Sequence, residues 1–438
     1  MVEWSLAMAL NSNKLSLWSG IGLCIASMIG SGIFLSSGYM AQEMSPAAIL
    51  AAWAVGAALA MLGVATYAEL ARQIPRSGGE YRYIRELLSP ALAYVAGWIT
   101  LIIGFAQPTA INALAAATFL STIVPIAHAK LFAGAAIVIL SLGHAYGQAS
   151  SKWLQNVLVI AKIALLLGFV ALGLVAGNHG WPTWQPPTGS TSIGAFVGSL
   201  FYVSYAFSGW NMTAYVSERF DNPKRDVGRS MFFGCLLVAS FYMLVNWIFV
   251  ANLDPAQASV VMQSGQATLG HAVTEQLAGA TGARFMSVLA VMTFLSAMSA
   301  MLMIGPHIAA TMAEDGALPS VFLAKPGKPP KVALLFQTVV ALLVLTLQSL
   351  KGALASVGAT LILFSALAAI SLLVAHFRNT LPTPAKVGSL VSAFLYALFS
   401  SWLLYFAFRD QAQLLPFLAT IVLLALVAYW ISRTRSAD

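Results

Sequence analysis

The chain has 438 residues, a net charge of +8, 59% hydrophobic residues and 8% charged ones, with a mean hydropathy of +0.83. A soluble domain carries about 25% charged residues, so this composition excludes a water-soluble globular protein. The basic excess is scattered over short loops, which excludes a nucleic-acid-binding face and suits membrane insertion beside anionic lipid.

Apolar runs of about 20 residues recur along the whole length, enough for each to cross a bilayer as a helix. They predict an all-α integral membrane protein with twelve transmembrane helices, at 16–41, 46–70, 90–122, 130–148, 154–177, 193–217, 229–250, 284–312, 332–350, 353–376, 385–408 and 413–432. The first run is too long for a cleavable signal peptide, and no small-residue cleavage site precedes the second. With the N-terminus placed inside, seventeen of the 22 Lys and Arg fall on the cytoplasmic side. The positive-inside rule therefore predicts both termini in the cytoplasm.

Span 1 contains IGLCIASMIGSGIF, Ile21 to Phe34. Gly30, Ser31 and Gly32 are poor interior residues, since glycine costs about 1 kcal/mol against alanine in a helix. Unwound backbone at membrane depth is tolerated only where protein buries it or where it lines a cavity. The freed N–H groups at a helix start favour an anion, such as the carboxylate of a small solute.

Glu69 falls at the inner end of span 2. Lys162 lies about 12 Å along the axis of span 5 and is the one lysine or arginine well inside a span. A central charge costs about 2.5–3.5 kcal/mol or more, so it faces the protein interior with a partner, or else it snorkels. His144 and His307 sit near cytoplasmic span ends and read as interfacial residues rather than a proton relay. The loop at 178–192 carries Trp181 and Trp184, read as membrane-surface anchors.

Span 6 reads SLFYVSYAFSGWNMTAYVSE and is interrupted at Ser208 and Gly209. Spans 1 and 6 cross in opposite senses, and two broken helices at equivalent places of inverted halves point to a transporter's midplane site. The alternative is that these glycines only let helices pack closely. The Asn211-Met212-Thr213 sequon lies inside the membrane, so it is not a glycosylation site. The loop at 251–283 is the longest and has room for a short helix. Cys24 and Cys235 fall in spans and read as small packing residues. There is no metal-ligand spacing and no nucleophile motif, so no enzyme, cofactor or metal is expected. Nor is there the continuous polar lining of a channel.

Three segments carry a resemblance: MIGSGIF at Met28–Phe34, YAELARQIPRSGGEYRYIRE at Tyr67–Glu86, and YAFSGWNMTAYVSERFDNPKRDV at Tyr205–Val227. MAEDGALP at Met312–Pro319 adds to them. The chain resembles the amino acid–polyamine–organocation (APC) superfamily, and within it the L-amino acid transporter group. That resemblance implies a five-plus-five inverted repeat, with spans 1–5 in 1–177, spans 6–10 in 178–380, and spans 11 and 12 added in 381–438. It implies alternating access around a central site. The N–H groups of Ser31, Gly32 and Ile33 would take the substrate carboxylate, and carbonyls at Tyr205, Ala206 and Ser208 the ammonium. Tyr205 falls where the family has an aromatic gate, or else is a packed tyrosine. Asn211 and Asn112 line the gate or pocket, or only bond neighbouring helices.

In relatives with the same pattern, a span 5 lysine stands where a structural sodium ion would. Lys162 would then bridge a span 1 carbonyl and the hydroxyls of Ser296 or Ser299. This implies sodium-independent transport, although a buried lysine also permits proton coupling. No other charge is expected at the centre, so a neutral amino acid fits best, with small or polar against large aliphatic side chains left open and a small neutral amino acid named as the partner. The expected function is sodium-independent transport of neutral L-amino acids, by exchange. Proton-coupled symport and facilitated uniport are the alternatives, with a polyamine or cationic amino acid as a further one. Animal members join a heavy chain through a cysteine in the span 3–4 loop; Thr122–Lys130 has none, so no covalently linked partner is expected. The expected location is the inner (plasma) membrane.

Overall fold

The computed structural model describes residues 14–125, 128–182, 184–186, 190–253, 269–325, 328–347, 350–410, 419, 422–423, 425–427 and 429–430. Among them the secondary structure is helical, with one isolated bridge between Leu15 and Phe220. Among the described residues ten helices are long and apolar enough to cross a membrane, and the shorter apolar helix Lys331–Leu347 occupies the ninth predicted place. Most of the predicted twelfth span, and both termini, lie outside the described residues.

Span 1 is two helices, Leu17–Met28 and Ser31–Met40, separated at Ile29 and Gly30. Ser16 caps the first by accepting from the Ser19 amide at 3.2 Å. Span 2 is Pro46–Gln73, opened by Ser45 and a proline that needs no N–H partner in the first turn. The short helix Glu80–Leu87 follows. Span 3 runs Pro90–Ile99, widens to a π-helical stretch over Thr100–Ala106, and continues as Gln107–Leu120. Pro108 explains the widening, since its ring and missing N–H disfavour a regular α turn before it. Spans 4 and 5 are Ala129–Tyr146 and Gln148–Ala176.

Span 6 is an α-helix over Ile193–Phe207, an irregular break, and a 3-10 segment over Met212–Arg219. Span 7 is Pro223–Ala251. Span 8 belongs to a helix over Leu269–Glu314 that bends at Ala278 and Gly279, so its first turns form the short helix expected in the long loop. Spans 10 and 11 are Leu350–Phe377 and Val387–Asp410.

Spans 1 and 3 are the most enclosed, each with 83% of its apolar window buried, whereas spans 4 and 5 bury 28% and turn most of their surface outward. Span 1 therefore sits centrally, and span 6 packs against its second half. Span 7 packs against spans 1 and 2, and span 8 against spans 3 and 5. Of the two loop tryptophans, Trp181 is exposed and fits an interfacial anchor. Trp184 does not: it is buried, and its indole N–H donates to the Val250 carbonyl at 2.9 Å.

The breaks touch each other. A Cβ added to Gly32 would lie 2.5 Å from Ala206 Cα, so the start of the second half-helix of span 1 lies directly on span 6. Gly209 has φ +100°, and a Cβ there would meet Ser27 Cβ at 2.9 Å and its carbonyl carbon at 3.0 Å. Gly209→Ala is expected to destabilise the protein by about 1–3 kcal/mol, through backbone strain and overpacking together. Gly198→Ala, on the same span with nothing within 4 Å of the new methyl, serves as the control. Thermal unfolding in detergent should separate the two variants by several degrees. Equal midpoints would contradict the close approach.

Candidate functional site

A cut helix leaves its last carbonyls and first amides without i→i−4 partners. In span 1 each set finds a side chain. The Lys162 ammonium, fully buried, donates to the carbonyls of Ala26 and Ile29, both at 2.9 Å. These oxygens form the partly negative end of the first half-helix, where a cation is favourable. On the other side of the break, the Ser31 amide donates to Asn112 Oδ1 at 3.0 Å. Asn112 is itself oriented by donating from Nδ2 to the Pro108 carbonyl at 2.8 Å.

Tyr205 reaches across from span 6. Its hydroxyl lies 3.0 Å from Ser31 Oγ, closing over the amide end of the second half-helix. Ser31, Ile33 and Asn112 are all buried. Tyr242 of span 7 bridges the two breaks, its hydroxyl directed at the Met28 carbonyl at 2.7 Å and the Ala206 carbonyl at 3.0 Å. The Tyr205 carbonyl accepts from the Ser208 amide at 3.0 Å.

The predicted residues thus fall into two neighbouring groups. Ser31, Gly32, Asn112, Tyr205 and Ala206 form one closed contact between the breaks, with Ile33 buried next to Gly32 in the chain. Ser208 and Asn211 instead line a cavity of about 50 Å³, together with Gly209, Tyr215, Ser365 and Tyr396. At about 10–15 Å³ per water, it admits a few waters or a small side chain.

Lys162 does not bridge span 1 to span 8. Both of its hydrogen bonds go to span 1. The Ser299 hydroxyl pairs with His144 Nε2 at 2.9 Å, and Ser296 Oγ is buried with no hydrogen-bond partner. The reason is geometric: two unpaired carbonyls at one helix end are already fixed at lysine's reach. His144, expected at the interface, is buried against span 8 through that same bond.

Among the described residues, a buried charge without an ion-pair partner went unforeseen. Gly78 and Gly79 have positive φ and turn the chain after span 2 back into the bundle. Their amides donate to the carbonyls of Tyr215 and Ala214, both at 3.3 Å. Glu80 is thereby carried inward and is 3% exposed. Tyr67 donates to its Oε1 at 2.7 Å, Asn211 donates to the same oxygen at 2.6 Å, and the Tyr215 hydroxyl donates to Oε2. No Lys or Arg pairs with it among the described residues. Glu80 thus adds a buried carboxylate that bonds the cavity-lining Asn211 and Tyr215, which the sequence reading did not include. The one available signal was the Gly-Gly-Glu run, which marks a sharp turn before a carboxylate. No group of three metal-ligating residues occurs among the described residues.

Two central chain breaks with their peptide ends turned to side chains, inside a multi-pass helical bundle, define a membrane transporter rather than an enzyme. The chain belongs to the amino acid permease family, whose sequence pattern matches residues 15–428. The large neutral amino acids transporter small subunit 2 of Mus musculus is 25% identical over 434 residues, covering 95% of this chain and 80% of that protein. The human counterpart is 24% identical over the same span. The b(0,+)-type amino acid transporter 1 of Mus musculus is 32% identical over 254 residues, covering 56% of this chain and about half, 52%, of that protein. The resemblance of the three motifs to the APC superfamily holds.

Lys162→Met keeps most of the side-chain volume but removes the ammonium and with it both hydrogen bonds. It leaves two buried carbonyls unpaired, at about 1–3 kcal/mol each. The expected result is a marked fall in the unfolding midpoint together with lost transport. An unchanged midpoint would show that the ammonium does not hold the break.

Proposed function

We propose that this protein is a sodium-independent transporter of small neutral L-amino acids that works by alternating access as an exchanger. The observation that carries the reading is the Lys162 ammonium at the carbonyl end of the broken span 1. A fixed cation there supplies the charge that a bound metal cation would supply, and needs no ion from solution.

In this reading the substrate carboxylate replaces Asn112 Oδ1 at the amides of Ser31, Gly32 and Ile33. A carboxylate is the stronger acceptor for amides at a helix start. The ammonium goes to the carbonyl end of span 6, at Tyr205, Ala206 and Ser208, and Tyr205 covers the site. The side chain points toward the cavity beyond Ser208. Its small volume favours a small side chain. Its lining offers no free charge, since the nearby Glu80 oxygens already accept from three donors. A large-neutral-amino-acid transporter as a relative over most of the chain supports a neutral substrate. The bundle is read as a five-plus-five inverted repeat with spans 11 and 12 outside it, in the plasma membrane with both termini cytoplasmic. No covalent partner is required.

Proton-coupled symport is the second reading, and the buried Glu80 carboxylate is the observation that favours it.

Reconstituted vesicles test both. Unlabelled alanine, serine or similar amino acids should compete for uptake, and lysine, arginine and glutamate should not. Replacing sodium by choline should leave the rate unchanged, and an amino acid inside the vesicle should raise it. Steep sodium dependence would remove the role given to Lys162. Stimulation by a pH gradient without any effect of internal amino acid would favour symport.

A further inference from the structure

Glu80 is a buried carboxylate that joins three separate elements. Tyr67 belongs to span 2, Glu80 opens the short helix after it, and Asn211 and Tyr215 belong to span 6 beyond its break. Asn211 and Tyr215 also line the cavity next to the two breaks. The groups that Glu80 holds therefore form part of the wall of that cavity.

The surrounding contacts form a second layer. Beside the two glycine amides already described, Ser77 Oγ accepts from the Glu218 amide at 3.1 Å. Arg82 pairs with Asp315 at 3.0 Å, Arg85 with the same carboxylate at 3.5 Å, and Arg76 with Glu86 at 3.0 Å. Of these pairs, Arg76–Glu86 is partly exposed, whereas Arg82 is itself buried. The inner layer around Glu80 is built differently: its donors are two tyrosine hydroxyls and one carboxamide, all neutral. Water can replace such donors one for one when the layer opens, so the bonds can break without stranding a second charge. Span 6 is irregular over Ser208–Asn211, so its inner part is joined to the outer helix by a short unwound hinge.

We propose that Glu80 is a positioning residue for gating: its carboxylate pins the inner part of span 6 to span 2 and keeps the face carrying residues 72–86 closed. Release of Asn211 and Tyr215 from Glu80 is then the step that opens the cavity to that face. This deepens the transport reading, on whose orientation it rests, by naming the closure.

The experiment uses the full chain in vesicles with Ser365→Cys as a reporter, since Ser365 lines the cavity and is 6% exposed. Cys24 and Cys235 are buried, and labelling of the chain without the reporter gives the background. A membrane-impermeant cationic methanethiosulfonate is added to one face at a time. Glu80→Gln keeps the shape but loses one acceptor oxygen. It should speed labelling about tenfold from the face carrying 72–86 and leave the opposite face unchanged. Glu80→Asp should restore much of the slow rate. Tyr215→Phe, which deletes one donor and keeps the ring, should shift labelling in the same direction and carries the test if Glu80→Gln does not fold. Equal rates with and without these changes, or a rise from both faces alike, would overturn the proposal, the latter marking a merely structural brace. Labelling needs no amino acid, so this result stands apart from failure of the substrate reading, which only the competition assay can show.

Discussion

A helix cut inside a bilayer leaves peptide groups that no water can satisfy, and protein must supply every partner. In this chain the carbonyl end of the cut in span 1 is held chiefly by one ammonium, with Tyr242 on the Met28 carbonyl beside it. Lys162 reaches from span 5 to the carbonyls of Ala26 and Ile29, and without it those dipoles would favour closing the ladder or collapsing the break. The geometry of the site follows from that one constraint. The amides of the second half-helix stay available because the first half is already satisfied. Asn112 can then reach the Ser31 amide from span 3, and Tyr205 the Ser31 hydroxyl from span 6.

The second break is shaped by contact with the first. Gly32 and Gly209 remove the two side chains that would keep the spans apart, so backbone lies on backbone. Tertiary approach of this kind, rather than helix propensity, explains why span 6 stops at Phe207 and resumes as a 3-10 segment at Met212. Span 7 reinforces the arrangement with a single tyrosine directed at both breaks.

Much of this could be read in the chain itself. Glycine and serine in the middle of an apolar run placed both breaks, and the lone lysine in span 5 pointed inward, because each violates a strong local rule. What stayed hidden depended on direction in three dimensions. Glu80 lies in a hydrophilic loop, and hydropathy cannot tell a loop that faces water from one that Gly78 and Gly79 fold back into the bundle. The pairing of His144 with Ser299 joins spans 4 and 8, a register that periodicity alone does not supply. Trp184 turned inward for the same reason, since an indole N–H buries readily once a carbonyl is in reach. The π-helical widening in span 3 was signalled only by Pro108, which a helix can also accommodate by kinking.

Tyr242 carries one hydroxyl hydrogen and faces two carbonyl oxygens, at Met28 and Ala206. That hydrogen can point fully at only one of them. Turning a single C–O bond toward Met28 therefore bares the Ala206 oxygen, with no displacement of any helix.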